Sequence, residues 1–147
     1  MYALADCNNF YASCERVFEP RLERVPVIVL SNNDGCIIAC SQEAKQLGFK
    51  MGQPIFECRD LVKRHNVVVR SSNFALYGDM SRRVMQTIRL FSPDVEVYSI
   101  DEAFIKLNGL KGRNYGSVMR NMRAAILRWT GIPVSVGIGK TKTLAKL

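Results

Sequence analysis

The sequence predicts an α+β fold, in which one mixed domain carries an insertion. Short apolar, β-branched segments alternate with stretches of helical periodicity along the 147 residues. Outside residues 10–77 the predicted order is strand, helix, hairpin, helix, strand. This order is the split β-α-β-β-α-β arrangement of the ferredoxin-like fold, so residues 10–77 are expected to form an inserted small α/β subdomain.

The individual elements follow from two periodicities. Alternating or continuous β-branched runs predict strands at 1–6, 27–30, 36–40, 67–70, 95–100, 103–107 and 134–138. Apolar residues at i, i+4 and i+7 or i+8 predict long helices at 76–91 and 115–130, which end at Ser92-Pro93 and at Gly131. Shorter helices are predicted at 10–18, 42–47 and 55–64, and a last one begins near Thr141 and is expected to continue past the end of the chain.

Composition narrows the class of protein. Hydrophobic residues make up 48% of the chain, but no apolar run approaches the roughly 20 residues that span a bilayer. A signal peptide is not recognisable at the start, so a cytoplasmic protein without membrane contact is expected. The net charge of +8 favours polyanionic partners. Five cysteines without a C-x-x-C pair indicate reduced thiols, with neither a disulfide framework nor a zinc site.

Three acidic residues are expected to meet at one end of the sheet. Asp6 closes the first strand, and Asp101 and Glu102 lie at the turn of the predicted hairpin. Right-handed crossovers make the first two strands of this domain parallel, with the third between them, so the end of the first strand lies beside the hairpin turn. The alternative is an exposed acidic turn with an unrelated aspartate at a strand end.

Converging carboxylates point to a divalent cation. They repel one another, and without a cation at least one is pushed toward protonation. Oxygen ligands suit Mg²⁺, whereas zinc would favour histidine or cysteine. Two such ions can drive nucleotidyl transfer. Asn9 is expected to cap the helix that follows Asp6, where backbone N–H groups could receive a triphosphate, and Lys45, Lys140 and Lys142 are candidate cationic contacts.

Four motifs in order along the chain resemble the Y-family DNA polymerases. They are DCNNFYASCE at 6–15, EAK at 43–45, YSIDEAF at 98–104 and GIGKTKTLAK at 137–146. Two more, SNNDGC at 31–36 and YGDMS at 77–81, make the chain similar to the UmuC type, the catalytic subunits of DNA polymerase V. The resemblance implies a palm at 1–9 and 78–147 and fingers at 10–77, with the thumb and little finger absent from this piece.

The resemblance also assigns roles to site residues. It implies two Mg²⁺ ions held by the catalytic residues Asp6, Asp101 and Glu102, assisted by the backbone carbonyl of Cys7. Tyr11 would be the steric gate that excludes a 2′-hydroxyl, with Phe10 beside it. Lys45 and Lys142 would contact the triphosphate of the substrate.

The implied activity is error-prone translesion DNA synthesis in the SOS response to DNA damage. The implied partners are primer-template DNA, a deoxynucleoside triphosphate, the UmuD′ dimer and RecA, in the cytoplasm at the nucleoid. Two alternatives stay open: a nucleotide cyclase, which also builds a ferredoxin-like palm with metal-binding acids, and a non-catalytic module that binds nucleotide or a partner. The isolated piece is expected to be weakly active or inactive, since it lacks the contacts that position DNA.

Overall fold

The computed structural model describes residues 1–110 and 114–147, which form two compact units. The first unit comprises Met1–Asn8 and Tyr77–Leu147, and the second comprises Asn9–Leu76. The regular elements, in chain order, are β1 (Tyr2–Cys7), α1 (Phe10–Phe18), β2 (Val27–Leu30), β3 (Ile37–Cys40), α2 (Gln42–Gln46), α3 (Arg59–His65), β4 (Val68–Ser71), α4 (Phe74–Arg89), β5 (Val95–Ser99), β6 (Glu102–Lys106), α5 (Tyr115–Thr130), β7 (Val134–Gly139) and α6 (Lys142–Lys146). Short 3₁₀ turns lie at Pro20–Leu22, Ile55–Cys58 and Leu107–Gly109.

The first unit is built on a four-stranded sheet of order β5-β6-β1-β7. Each hydrogen-bonded pair of neighbours is antiparallel, so β1 and β5 run parallel with β6 between them. This is the strand order of the ferredoxin-like fold, and it confirms the predicted fold class. It also brings the end of β1 beside the β5–β6 turn.

The two faces of this sheet differ in chemistry. One face, which we call the helix face, carries the fully buried Ala3 and Ala103; α4 and α5 each bury an apolar stripe, and α5 contacts β7 of this sheet. The other, the acid face, carries Leu4 and Phe104, on which Ala145 of α6 packs. Because side chains alternate along a strand, Asp6 and Glu102 fall on the acid face, at the end beyond this small apolar cluster.

The second unit has its own sheet and core. Its strand order is β3-β2-β4, in which β2 pairs antiparallel with β3 and parallel with β4. Ile28, Ile37 and Phe49 belong to one buried cluster. An ion pair between Arg16 Nη2 and Glu43 Oε1, at 2.7 Å, joins α1 to α2. The predicted inserted α/β subdomain is therefore present, and it has its own hydrophobic core.

The structure corrects three local predictions. Residues 55–64 are not one helix but a 3₁₀ turn followed by α3; in that turn the Pro54 carbonyl accepts the Glu57 N–H at 3.2 Å, an i to i+3 hydrogen bond. Helix α4 begins at Phe74, two residues early, where the Asn73 side chain accepts from the N–H of Leu76. Asn9 precedes α1 with a left-handed backbone (φ 45°) and makes no side-chain cap.

Two expectations from composition can also be compared with the structure. None of the five cysteines, which all lie within the described residues, forms a disulfide, and four of them are buried. No helix within residues 1–110 and 114–147 has the length and apolar character needed to cross a bilayer.

Candidate functional site

The three predicted acidic residues meet at one end of the acid face. Asp6 and Glu102 are direct partners across the β1–β6 ladder, so their Cβ atoms are separated by about 5 Å and lie on the same side of the sheet. Asp101 precedes Glu102 in the turn, and its carbonyl accepts a hydrogen bond from the Cys7 N–H at 2.8 Å. The convergence predicted from the topology is therefore observed.

The turn that carries two of these acids, Ser99–Glu102, is held by two serine hydroxyls; we call it the acid turn. Ser81 of α4 donates its hydroxyl to the Ile100 carbonyl. The Ser99 hydroxyl lies 2.9 Å from Asp101 Oδ1 and 3.1 Å from Glu102 Oε2. Ser99 could not be identified from the sequence, because a serine at the end of a strand carries no signal that distinguishes it from ordinary turn residues.

The electrostatics of the site favour a cation. Burial raises the pKa of Asp6 above its usual 3.8, and the negative charges of Asp101 and Glu102 raise it further, while Lys146 acts in the opposite direction. Each of these effects other than the lysine disfavours the ionised carboxylate. A bound divalent cation would reverse that balance.

The donor set fits magnesium chemically. The side chains gathered at this end supply carboxylate and hydroxyl oxygens, the ligands that Mg²⁺ prefers. Cys7 is buried, and the alternation of β1 turns its thiol to the helix face, so no sulfur ligand is offered at the acids. In the described part of the chain, no three His, Cys, Asp or Glu side chains are arranged so that they could hold a metal ion together. The carboxylates are thus neighbours, but they do not yet surround one point.

The structure does not bring Lys142 to the acids. Its Nζ lies 2.5 Å from Glu96 Oε2 and sits over the rings of Tyr2 and Phe104, with centroid distances of 5.8 and 5.4 Å. Tyr2 is four residues before Asp6 on β1, a distance of roughly 13 Å along an extended strand. Lys142 therefore occupies the end of the acid face away from the candidate metal site.

The lysine beside the acids is Lys146, which the sequence analysis missed. Its Nζ lies 3.9 Å from Glu102 Oε1 and 5.0 Å from the centroid of the Tyr98 ring. Residues four apart share a helix face, so Lys142 and Lys146 both point from α6 toward the sheet, one turn apart. This four-residue spacing was the sequence signal from which Lys146 could have been identified as a second candidate.

The remaining predicted site residues lie in the second unit. The ring of Tyr11 contacts Phe10, with centroids 5.8 Å apart, and meets Phe74 edge-on at 6.0 Å. Phe10 is buried and Tyr11 is half-buried. Lys45 Nζ donates to Asn9 Oδ1 at 2.6 Å, which explains why Asn9 does not cap α1.

Comparison with known proteins agrees with this arrangement. A solved insertion ternary complex of Dbh DNA polymerase superposes with a TM-score of 0.89 at 27% identity, over 99% of this chain and 44% of that one. The fold is that of the palm and fingers of Y-family DNA polymerases. The model of the impB/mucB/samB family matches residues 5–147, and the chain belongs to that family.

Two curated relatives are similar to the whole of this chain but are much longer than it. Protein UmuC of Salmonella typhimurium is 55% identical over the whole chain, which covers 35% of that relative. DNA polymerase IV of Pelotomaculum thermopropionicum is 37% identical over 98% of the chain and 37% of the relative. The chain thus spans about a third of the length of these relatives.

Proposed function

We propose that this chain is the palm and fingers part of a translesion DNA polymerase that acts in the repair of damaged DNA by template-directed nucleotidyl transfer. The observation that carries the proposal is the pairing of Asp6 with Glu102 across the β1–β6 ladder, next to Asp101. It gathers carboxylates from two remote parts of the chain on one face of a palm-like sheet. Family membership favours this activity over the nucleotide cyclase alternative.

In this proposal Asp6, Asp101, Glu102 and the backbone carbonyl of Cys7 hold two Mg²⁺ ions. When bound, such ions activate the attacking 3′-hydroxyl and stabilise the charge on the departing pyrophosphate. The chain's own part is to keep the carboxylates ionised and oriented: β1 and β6 fix their spacing, and Ser99 supplies a hydrogen bond to the acid turn.

The substrate roles rest on resemblance. Tyr11 is proposed as the steric gate against a 2′-hydroxyl, with Phe10 supporting its ring. Lys45 and Lys142 are proposed to contact the triphosphate. For Lys142 this requires release of the Glu96 carboxylate and a movement along the acid face, because its ammonium group now lies beside Glu96 and Tyr2, at the end away from the acids.

The proposed partners are primer-template DNA and a deoxynucleoside triphosphate, with which a protein of this kind would work at the nucleoid. Similarity to the insertion ternary complex of Dbh DNA polymerase supports a substrate-bound state for this fold. The UmuD′ dimer and RecA are proposed from the resemblance to UmuC-type proteins alone.

A chimera tests the polymerase activity. The chain replaces the matching third of its UmuC relative, and primer extension is measured with Mg²⁺. We expect extension by the chimera and a loss of about a thousandfold in Asp101→Asn, since removal of a charge-stabilising group costs that order of rate. Asp60→Asn, which removes an exposed acid of α3, is the matched control and should stay within twofold. No extension by the chimera, or full activity in Asp101→Asn, would refute the proposal.

Sugar selection provides a second, independent readout. Tyr11→Ala in the chimera should admit ribonucleotides, whereas Tyr11→Phe should keep the discrimination. Unchanged discrimination in Tyr11→Ala would remove the gate assignment. The 147-residue chain by itself is expected to bind nucleotide without extending a primer, because positioning contacts supply much of such catalysis.

A further inference from the structure

A β-bulge lies next to the acid turn. Strands β5 and β6 pair regularly through Val97 and Ala103, but the next pair is Ser99 with Glu102, so Tyr98 is an extra residue in β5. Bulges re-aim side chains and are frequent beside functional sites. Here the extra residue turns Ser99 to the side of Glu102 and leaves the Tyr98 ring 56% exposed beside α6.

Ser99 bridges the two carboxylates of the acid turn. Its hydroxyl is within hydrogen-bond distance of Asp101 Oδ1 and Glu102 Oε2, at 2.9 and 3.1 Å. A hydroxyl has one proton, so the Ser99 hydroxyl donates to one carboxylate at a time while it lies between the two. This contact orients two like charges without neutralising either.

Lys146 places a positive charge near one of the same carboxylates. Its ammonium lies 3.9 Å from Glu102 Oε1 and 5.0 Å from the centroid of the Tyr98 ring. Helix α6 is seated close to the sheet, because Ala145 packs on Leu4 and Phe104. The position of Lys146 is therefore set by packing as well as by charge.

We propose that Ser99 and Lys146 are positioning residues that set the divalent-cation affinity of the acid site in opposite directions. Ser99 strengthens binding by holding Asp101 and Glu102 ready for a shared cation. Lys146 weakens binding, because its positive charge lies near Glu102 and repels an incoming cation. The inference deepens the proposed function and rests on it.

The test measures Mn²⁺ binding to the 147-residue chain by electron paramagnetic resonance of the unbound ion. Ser99→Ala should weaken binding about 10- to 100-fold, the usual effect of losing a residue that orients a metal ligand. Lys146→Met should strengthen it roughly three- to tenfold at low salt, since a cation near the site is removed while the aliphatic stem is kept. Ser99→Thr and Lys146→Arg, which keep the hydroxyl and the charge, should resemble the wild type.

Ionic strength separates the two effects. The gain in Lys146→Met should shrink as salt screens the lysine charge, while the loss in Ser99→Ala should persist. Unchanged affinity in both the Ser99→Ala and the Lys146→Met variants, or weaker binding in Lys146→Met, would overturn this inference alone. If the wild type shows no saturable Mn²⁺ binding, or Asp101→Asn binds as well as it does, the proposed function fails together with the inference. Far-UV circular dichroism of each variant verifies that it is folded.

Discussion

A methyl group added at position 137 should force helix α6 to move away from the sheet. A Cβ on Gly137 would lie 2.2 Å from the carbonyl oxygen of Ala145, and one on Gly139 would lie 2.5 Å from the Ala145 nitrogen. Ordinary contacts begin at 3.4 Å, so the backbone of α6 must retreat by about 1 Å. Overpacking of this kind typically costs about 1–3 kcal/mol, and we expect Gly137→Ala to lower the free energy of unfolding by that amount.

The assay is urea unfolding followed by the fluorescence of Trp129, the single tryptophan, which lies in the same unit. Gly78→Ala is the matched control, because a Cβ there meets nothing within 4 Å and the residue is exposed in α4. It should raise stability by about 0.5–1 kcal/mol through helix propensity. Gly137→Ala as stable as the wild type, with Gly78→Ala behaving as expected, would refute the steric argument.

Three further predictions concern ionisable groups. Asp6→Asn should raise the free energy of unfolding in metal-free neutral buffer. Burial and the neighbouring acids raise the pKa of Asp6, so the stability that its protonated form contributes is full below pH 3.8 and is lost as pH rises through the shifted pKa. A denaturant titration in which Asp6→Asn shows no gain in stability would contradict this. Hydrogen bonds from Arg70 and Arg21 lower the pKa of Glu19, so the stability that they contribute is present above pH 4.5 and is lost as pH falls through the lowered pKa. In Glu19→Gln, the free energy of unfolding should therefore fall less steeply at acidic pH than in the wild type. An equally steep fall would count against this prediction. Burial raises the pKa of Cys14 to about 12, so iodoacetamide at about pH 8 should spare Cys14, and peptide mapping that finds it modified in folded protein would disprove its shielding.

Much of the fold could be predicted because local signals agreed with tertiary packing. Helix α5 has the predicted bounds: Asn114 caps its first turn, and Gly131 ends it in a left-handed conformation (φ 79°). Strand β2 also has its predicted bounds, since all four of its residues are apolar and buried. The order of these elements, with the handedness of crossovers, was enough to predict that Asp6 meets the acid turn.

The finer features of the site could not be predicted from pattern alone. Alternation along β5 does not reveal that Tyr98 is an extra residue, because a bulge depends on the pairing of two strands. The sequence likewise does not state which turn of α6 faces which acid. The packing of α6 on the sheet determines that Lys142 reaches Glu96 while Lys146 reaches Glu102.

The pairing of Asp6 with Glu102 ties the chemistry of this protein to its foldability. A slip of β1 by one residue would turn the aspartate into the space that Ala3 and Ala5 occupy on the helix face, where no exposed surface remains to hydrate a carboxylate. A sheet with this shifted register would therefore be less stable than the native one, whatever its effect on the site. The strand alignment that keeps this carboxylate hydrated is the same one that sets it opposite Glu102.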